Sequence, residues 1–322
     1  MEPSPPVSGT QASVPWSAAL WRQHPLSCLG VGLLMLISRL PLAMLRPIGR
    51  TLGTLAWWLA APRRRIALVN LRLCFPGWTE TRRREVAHEH FQWFMCSILE
   101  RFIFWNGPPE RIRRLVRIEN AEVIEGLKGR PLILLAPHFV GIDAGGMRLS
   151  MKGSLMAVYA HQANPVLDAA MIAGRSRFPG AVALARQEGI RTTVRLMRQG
   201  VPFHYSPDMD LGVRDAIFVP FFGVPAATIT AAARLAEVSG ATVVPWVTRM
   251  TPEGYVGRFL PPWQDFPGDD IEAATRRLNA FVESQVLEMP AQYLWTHRRF
   301  KTRPPGEADP YRAKPPAPNP AP

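Results

Sequence analysis

From Pro131 onward, short apolar runs alternate with helical stretches, and no other feature of the chain restricts its fold as tightly. The pattern predicts strands over residues 132–136, 154–159, 202–206, 216–220 and 242–248. Between and after them it predicts helices near 144–149 and over 165–178, 226–239 and 271–288. Gly240 stands where a helix-ending glycine belongs, and Pro290 stops the last helix. Strands separated by helices argue an α/β fold, with a mainly parallel central sheet flanked by helices. Further upstream, residues 82–104 (RRREVAHEHFQWFMCSILERFIF) predict an amphipathic helix with Val86, Phe94, Ile98 and Phe102 on one side.

The N-terminal part has a different character. Residues 1–17 are rich in Pro and Ser, and residues 305–322 are rich in Pro; both read as disordered tails. Residues 18–62 form a hydrophobic lead-in. Its first apolar run, LSCLGVGLLMLIS, is uncharged but short for a bilayer span of about 20 residues. No acidic residue occurs between Pro3 and Thr79, whereas Arg39, Arg46, Arg50 and the Arg63-Arg64-Arg65 triplet punctuate the segment. Together with Trp57 and Trp58, this bias predicts helices that lie in a membrane surface; the plainer alternative is a helical hairpin packed on the remaining domain, residues 63–304. The net charge of +13, from 38 Lys and Arg against 25 Asp and Glu, points to anionic partners. No zinc-finger spacing or RNA-binding aromatic signature accompanies it, which argues against nucleic acid. Cys28, Cys74 and Cys96 are odd in number and form no C-x-x-C pair, so they read as small core residues in a reducing compartment.

The segment LILLAPHFVGIDAGG concentrates the chemistry. A strand runs into Pro137-His138, and Asp143 opens a helix rich in Gly and Ala. Sites in α/β sheets form beyond the carboxyl ends of strands. A carboxylate on one imidazole nitrogen fixes the tautomer, which leaves the other nitrogen to accept a proton from a substrate hydroxyl. The spacing suggests Asp143 as that carboxylate. The pair needs no neighbouring Ser or Cys nucleophile, so an acyl group can pass directly from a thioester to an acceptor. H-x4-D alone is a weak signal, because a lone His at a strand end is commonly structural.

Further segments sharpen it. LARQEGIRTTVRLMRQGVPFHYSPDMDLG, AIFVPFFGVPAATITAAARLAEVSGATVVPWVTR, QYLWTHRRFKTRP and RRRIALVNLRLCFPGW, taken with His138 and Asp143, resemble the late acyltransferases of bacterial lipid A biosynthesis. These belong to the lysophospholipid acyltransferase superfamily of H-x4-D/E signature. The resemblance runs from about Arg63 to Pro304. It implies a glycerolipid-acyltransferase-like fold and a bacterial enzyme at the cytoplasmic face of the inner membrane. The implied donor is an acyl carrier protein thioester, with acyl-CoA as the alternative, and the implied acceptor is a glycolipid or lysolipid hydroxyl. No metal and no organic cofactor is implied.

Within the resemblance, Arg177 and Arg186 match arginines suited to phosphate; the plain reading is a solvated helix end. Asp208 and Asp210 read as support for the site, as turn caps, or as the D-x-D metal site of a glycosyltransferase, which is the rival enzyme class. Phe222 and Gly223, with Phe218 and Phe221, wall an acyl channel or are plain core. Residues 297–303 (HRRFKTR) and the arginines Arg191, Arg195 and Arg198 are the candidate docking patches for an acidic carrier, the latter otherwise an exposed basic face. A membrane scaffold without activity is the third reading, and an intact His138 with Asp143 argues against it.

Overall fold

The computed structural model describes residues 17–185 and 189–312. The chain begins with helices α1 (Ala18–Gln23), α2 (Pro25–Ile37), α3 (Leu42–Leu59), α4 (Ala61–Cys74), α5 (Glu80–Asn106) and α6 (Pro109–Leu115). Strand β1 (Val116–Glu119) and the short helix α7 (Glu122–Glu125) lead to β2 (Leu132–Leu135), α8 (Ile142–Ser150), β3 (Leu155–Tyr159), α9 (Pro165–Arg175), β4 (Ala181–Ala185), α10 (Gly189–Arg198) and β5 (Phe203–Tyr205). A hairpin of β6 (Ala216–Phe221) and β7 (Val224–Ile229) precedes α11 (Ala231–Ser239), β8 (Thr242–Thr251), β9 (Gly254–Phe259) and α12 (Ile271–Glu288). Several helix starts carry side-chain caps that satisfy first-turn amides: Thr79 accepts from Arg82, Asn164 from Val166 and Leu167, and Asp270 from Glu272 and Ala273. Gly240 ends α11 at φ 68°, as its position predicts.

The main sheet has the order β1-β9-β8-β2-β5-β3-β4. Every neighbouring pair is parallel except β8 and β9. The α/β architecture with a mostly parallel sheet therefore holds, with one antiparallel return from β8 to β9 through Pro252-Glu253. The parallel strands direct the carboxyl ends of β2, β5, β3 and β4 to one edge.

Two expectations need correction. The alanine-rich stretch 226–239 is not one helix. Phe222 and Gly223 both adopt positive φ, 50° and 75°, which makes a two-residue hairpin turn and keeps the chain extended to Ile229. Arg299 donates to the Ala227 carbonyl at 2.8 Å and Asn279 to the Pro220 carbonyl at 2.8 Å, so the hairpin is held by buried donors far along the chain. Nor is α5 amphipathic in the expected sense. Phe91, Trp93, Leu99, Phe102, Ile103 and Trp105 are buried around it, because α3, α4, α8 and α9 all pack against this one helix. The three cysteines are free and buried, as expected of core residues.

The lead-in folds onto the domain. Arg46 of α3 pairs with buried Glu100 of α5 at 3.2 Å and donates to the carbonyls of Thr251 and Gly254 in the β8–β9 turn. Tyr255 donates to the second oxygen of Glu100 at 2.6 Å. Burial pushes the Glu100 carboxyl up while Arg46 pulls it down. Gly49 and Gly53, one turn apart on α3, let the two backbones touch. A Cβ at position 53 would stand 2.4 Å from the Gln92 Cα, and one at 49 would stand 2.8 Å from the Cys96 Cα. Thus α2 and α3 both pack on α5 of the domain. The opposite faces stay apolar and exposed: Leu26, Leu29, Leu33 and Leu36 form a row on α2, and Met44, Ile48, Leu55, Trp58 and Leu59 form another on α3. Among the described residues, no helix is long and apolar enough to cross a membrane.

This packing predicts that Gly53→Ala destabilises the protein in urea denaturation by about 1–3 kcal/mol, since overpacking outweighs the helix-propensity gain of about 0.5–1 kcal/mol. Gly30→Ala on α2, where an added Cβ meets nothing within 4 Å, should be neutral or stabilising. Equal midpoints for the two variants would show that α3 does not bear on α5 as described.

Candidate active site

His138 follows the carboxyl end of β2. Its position is set first by β5, since the Ala136 amide donates to the Tyr205 carbonyl at 2.8 Å and the Ser206 hydroxyl to the Ala136 carbonyl at 2.5 Å. The chain beyond β5 then brings Asp208 under the imidazole. Oδ1 of Asp208 lies 2.8 Å from Nδ1 of His138, and Oδ2 accepts the His138 backbone N–H at 2.9 Å. The His138 side chain is 26% exposed and that of Asp208 is 1% exposed, so the ring opens outward while its carboxylate is shielded. Burial opposes ionisation of Asp208, but the adjacent His138 outweighs it and holds the pKa below the ordinary value. An anion on Nδ1 places the proton there and leaves Nε2 as the free base.

The carboxylate expected from spacing is engaged elsewhere. Asp143, in the first turn of α8, takes Nε and Nη2 of Arg175 on Oδ1 at 3.0 and 2.6 Å. Arg101 of α5 ion-pairs with Oδ2 at 2.7 Å. Burial would raise the Asp143 pKa, yet Arg175 and Arg101 bring it down to about 2. Asp143 is therefore a fixed anion that holds a guanidinium at the cavity wall. His138, Asp143 and Arg175 line one cavity of about 450 Å³, walled by α8, by strands β3, β4 and β5, and by residues of α10 and α11.

Arg175, which spacing did not single out, lines the cavity, and Arg177 does not. The Arg177 guanidinium instead donates to the Phe104 carbonyl at 3.2 Å and stacks over Phe178. Arg186 lies outside the described residues. Asp210 does not join Asp208. It accepts the amide and hydroxyl of Thr302, both at 2.8 Å, and the Gly212 amide at 3.0 Å, tying the C-terminal segment behind the site. The two aspartates thus face different partners, which removes the shared metal point a D-x-D site needs. Among the described residues, no group of three or more His, Cys, Asp or Glu is placed to hold a metal ion.

The phenylalanines fall on the core side of their two readings. Phe222 packs its ring on Phe75 at 4.8 Å, its amide donates to Glu283, and neither it nor Gly223 lines the cavity. The run 297–303 is not a continuous basic surface. His297 accepts the Asp210 N–H on Nε2 at 3.0 Å, and burial brings its pKa down to about 4, so it is neutral. Arg299 is 2% exposed beneath the hairpin, and Arg303 binds Pro225 and Glu307. Only Arg298 and Lys301 of its basic residues are exposed. Arg191, Arg195 and Arg198 do form an exposed face of α10.

Known proteins share this arrangement of sequence. A family model described as bacterial lipid A biosynthesis acyltransferase matches residues 19–302. The lipid A biosynthesis lauroyltransferase of Escherichia coli (strain K12) is 34% identical over 295 residues, which cover 90% of this chain and 96% of that protein. The lipid A biosynthesis myristoyltransferase of the same organism is 35% identical, covering 89% of this chain and 90% of its own. Its palmitoleoyltransferase is 30% identical, covering 89% and 96%. Among solved structures, the 1-acyl-sn-glycerophosphate acyltransferase PlsC from Thermotoga maritima aligns with 77% of this chain and 99% of its own at 15% identity and TM-score 0.39, too distant a likeness to bear on function.

Proposed function

The chain belongs to the bacterial lipid A biosynthesis acyltransferases, and from that membership we propose that it moves a fatty acyl chain from an acyl carrier protein thioester to a hydroxyl of a lipid A precursor. The observation that carries the reading is the His138–Asp208 pair at the mouth of an apolar cavity. Nε2 of His138 takes the proton of the acceptor hydroxyl as its oxygen attacks the thioester carbonyl carbon. The tetrahedral oxyanion collapses, the C–S bond breaks, and the imidazolium returns its proton to the leaving thiolate. Asp208 stabilises the imidazolium without taking its proton. Arg175, fixed by Asp143, supplies positive charge toward the oxyanion or toward a phosphate of either substrate. Asp143 then works as a positioning residue and not as the partner of the base. No metal or organic cofactor enters this scheme.

The exposed apolar rows of α2 and α3, flanked by Arg22, Arg39 and Arg50 without one acidic side chain, support docking in the surface of an anionic bilayer, at the cytoplasmic face of the inner membrane. A lipid acceptor would lie in that same surface, which supports the reading. The exposed arginines of α10 support the approach of an acidic carrier protein.

Two outcomes follow. His138→Ala should lower kcat by about 10²–10⁴-fold or more, and Asp208→Asn should fall comparably, because the wrong tautomer then faces the hydroxyl. A folded His138→Ala variant turning over at the wild-type rate excludes the base assignment. Replacing Leu29, Leu33 and Trp58 together with Glu should weaken sedimentation with phosphatidylglycerol vesicles at least tenfold, since each buried apolar side chain contributes about 1.5–3 kcal/mol. Unchanged sedimentation would move the membrane contact elsewhere.

A further inference from the structure

The cavity is mostly apolar, and a few polar side chains interrupt it, among them Ser150, Thr193 and His204. Across the sheet face toward α8, the strand register aligns His204 of β5 with Ala157 of β3, and Ala157 with Ala183 of β4. The two alanines keep this row shallow, so a groove opens between the strands and α8. Opposite the row stands Gly146, where a side chain would project toward the imidazole. A Cβ there would meet only Nε2 and Cε1 of His204, at 3.8 and 3.9 Å, an ordinary contact.

Nε2 of His204 is buried and has no hydrogen-bond partner. Burial brings the His204 pKa down to about 4, with Arg175 acting in the same direction, so the ring is neutral. In either tautomer Nε2 is then a donor or an acceptor left unmet, and such a group costs about 1–3 kcal/mol. A packing residue of similar shape, such as Phe, would avoid that cost. The base of the proposed reaction does not use this nitrogen.

The depth of His204 is set by register. It pairs with Leu134 of β2, which precedes Ala136 by two strand residues, while His138 lies just beyond. At about 3.3 Å per residue, this level is on the order of 7 Å below the turn that carries His138. An acyl chain with its carbonyl at His138 would bring its first few carbons, and not its methyl end, past His204.

We propose that the acyl groove is built for a donor with a hydroxyl a few carbons from its thioester, and that this hydroxyl bonds to Nε2 of His204 in the space left by Gly146. The substrate class is thus a hydroxyacyl thioester. The inference rests on the acyl-transfer reading above and narrows it.

The test compares kcat/KM for dodecanoyl and 3-hydroxydodecanoyl thioesters of acyl carrier protein, using the full chain and the lipid A precursor that accumulates in a strain lacking it. The wild type should favour the hydroxyacyl donor roughly tenfold, the value of about one hydrogen bond. His204→Phe should bring that ratio to about one. Gly146→Ala should do the same by filling the hydroxyl's place with a methyl, and alanine is favoured over glycine in a helix, which protects the fold. Because the readout is a ratio within each variant, a general loss of activity does not imitate it. Equal use of the two donors by the wild type, or a preference that survives in either variant, overturns the proposal. Transfer from neither donor by the wild type defeats the acyl-transfer reading itself, and this inference with it.

Discussion

Both oxygens of Asp208 bind His138, one on the ring Nδ1 and one on the backbone N–H, and this two-point grip fixes the imidazole between the ends of β2 and β5. Much of the architecture serves it. The parallel pairing of β2 with β5 brings the two residues to one edge. Tyr293 lies beside Asp208, and burial followed by that negative charge pushes its hydroxyl well up, so it stays neutral next to the anion. The carbonyl of His138 accepts the Leu294 amide at 3.1 Å, and Asp210 fastens Thr302, so the C-terminal segment closes the site from behind.

The second carboxylate of the motif has a separate electrostatic task. Asp143 sits at the first turn of α8, where the helix dipole favours an anion, and it is clamped by Arg175 from α9 and Arg101 from α5. The shielded carboxylate draws both guanidiniums to it, so three helices are tied together at the cavity wall. The same core helix α5 receives α3 through Arg46, Glu100 and the two glycines. The apolar lead-in is therefore coupled to the site through one continuous helix.

Much of this was legible in the sequence. Strand β2, helix α12 and the glycine after α11 follow from periodicity and from stop signals, which act over a few residues. The site was legible as a strand-end His with H-x4-D, and the resemblance gave its chemistry. The partner of His138 was not legible from spacing, because Asp208 arrives through the parallel pairing of distant strands. Arg175 carries no local signature that separates it from Arg177, two residues on. The basic run near the C-terminus looked like a surface because charge normally implies exposure; Arg299 breaks that rule by satisfying the open carbonyls and hydroxyl of Ala227, Thr228 and Asn279. The hairpin of β6 and β7 was missed because an alanine-rich run favours a helix until the turn at Phe222-Gly223 and the buried donors hold it extended.

The pairing of His138 with Asp208, in place of Asp143, is the claim on which the mechanism turns. Nitrogen-15 NMR of the labelled imidazole, with His138→Gln to assign the signal, reads the tautomer directly. The wild type and Asp143→Asn should both carry the proton on Nδ1 of His138, and Asp208→Asn should lose that fixed tautomer. A proton that stays on Nδ1 in Asp208→Asn but leaves it in Asp143→Asn would contradict the account.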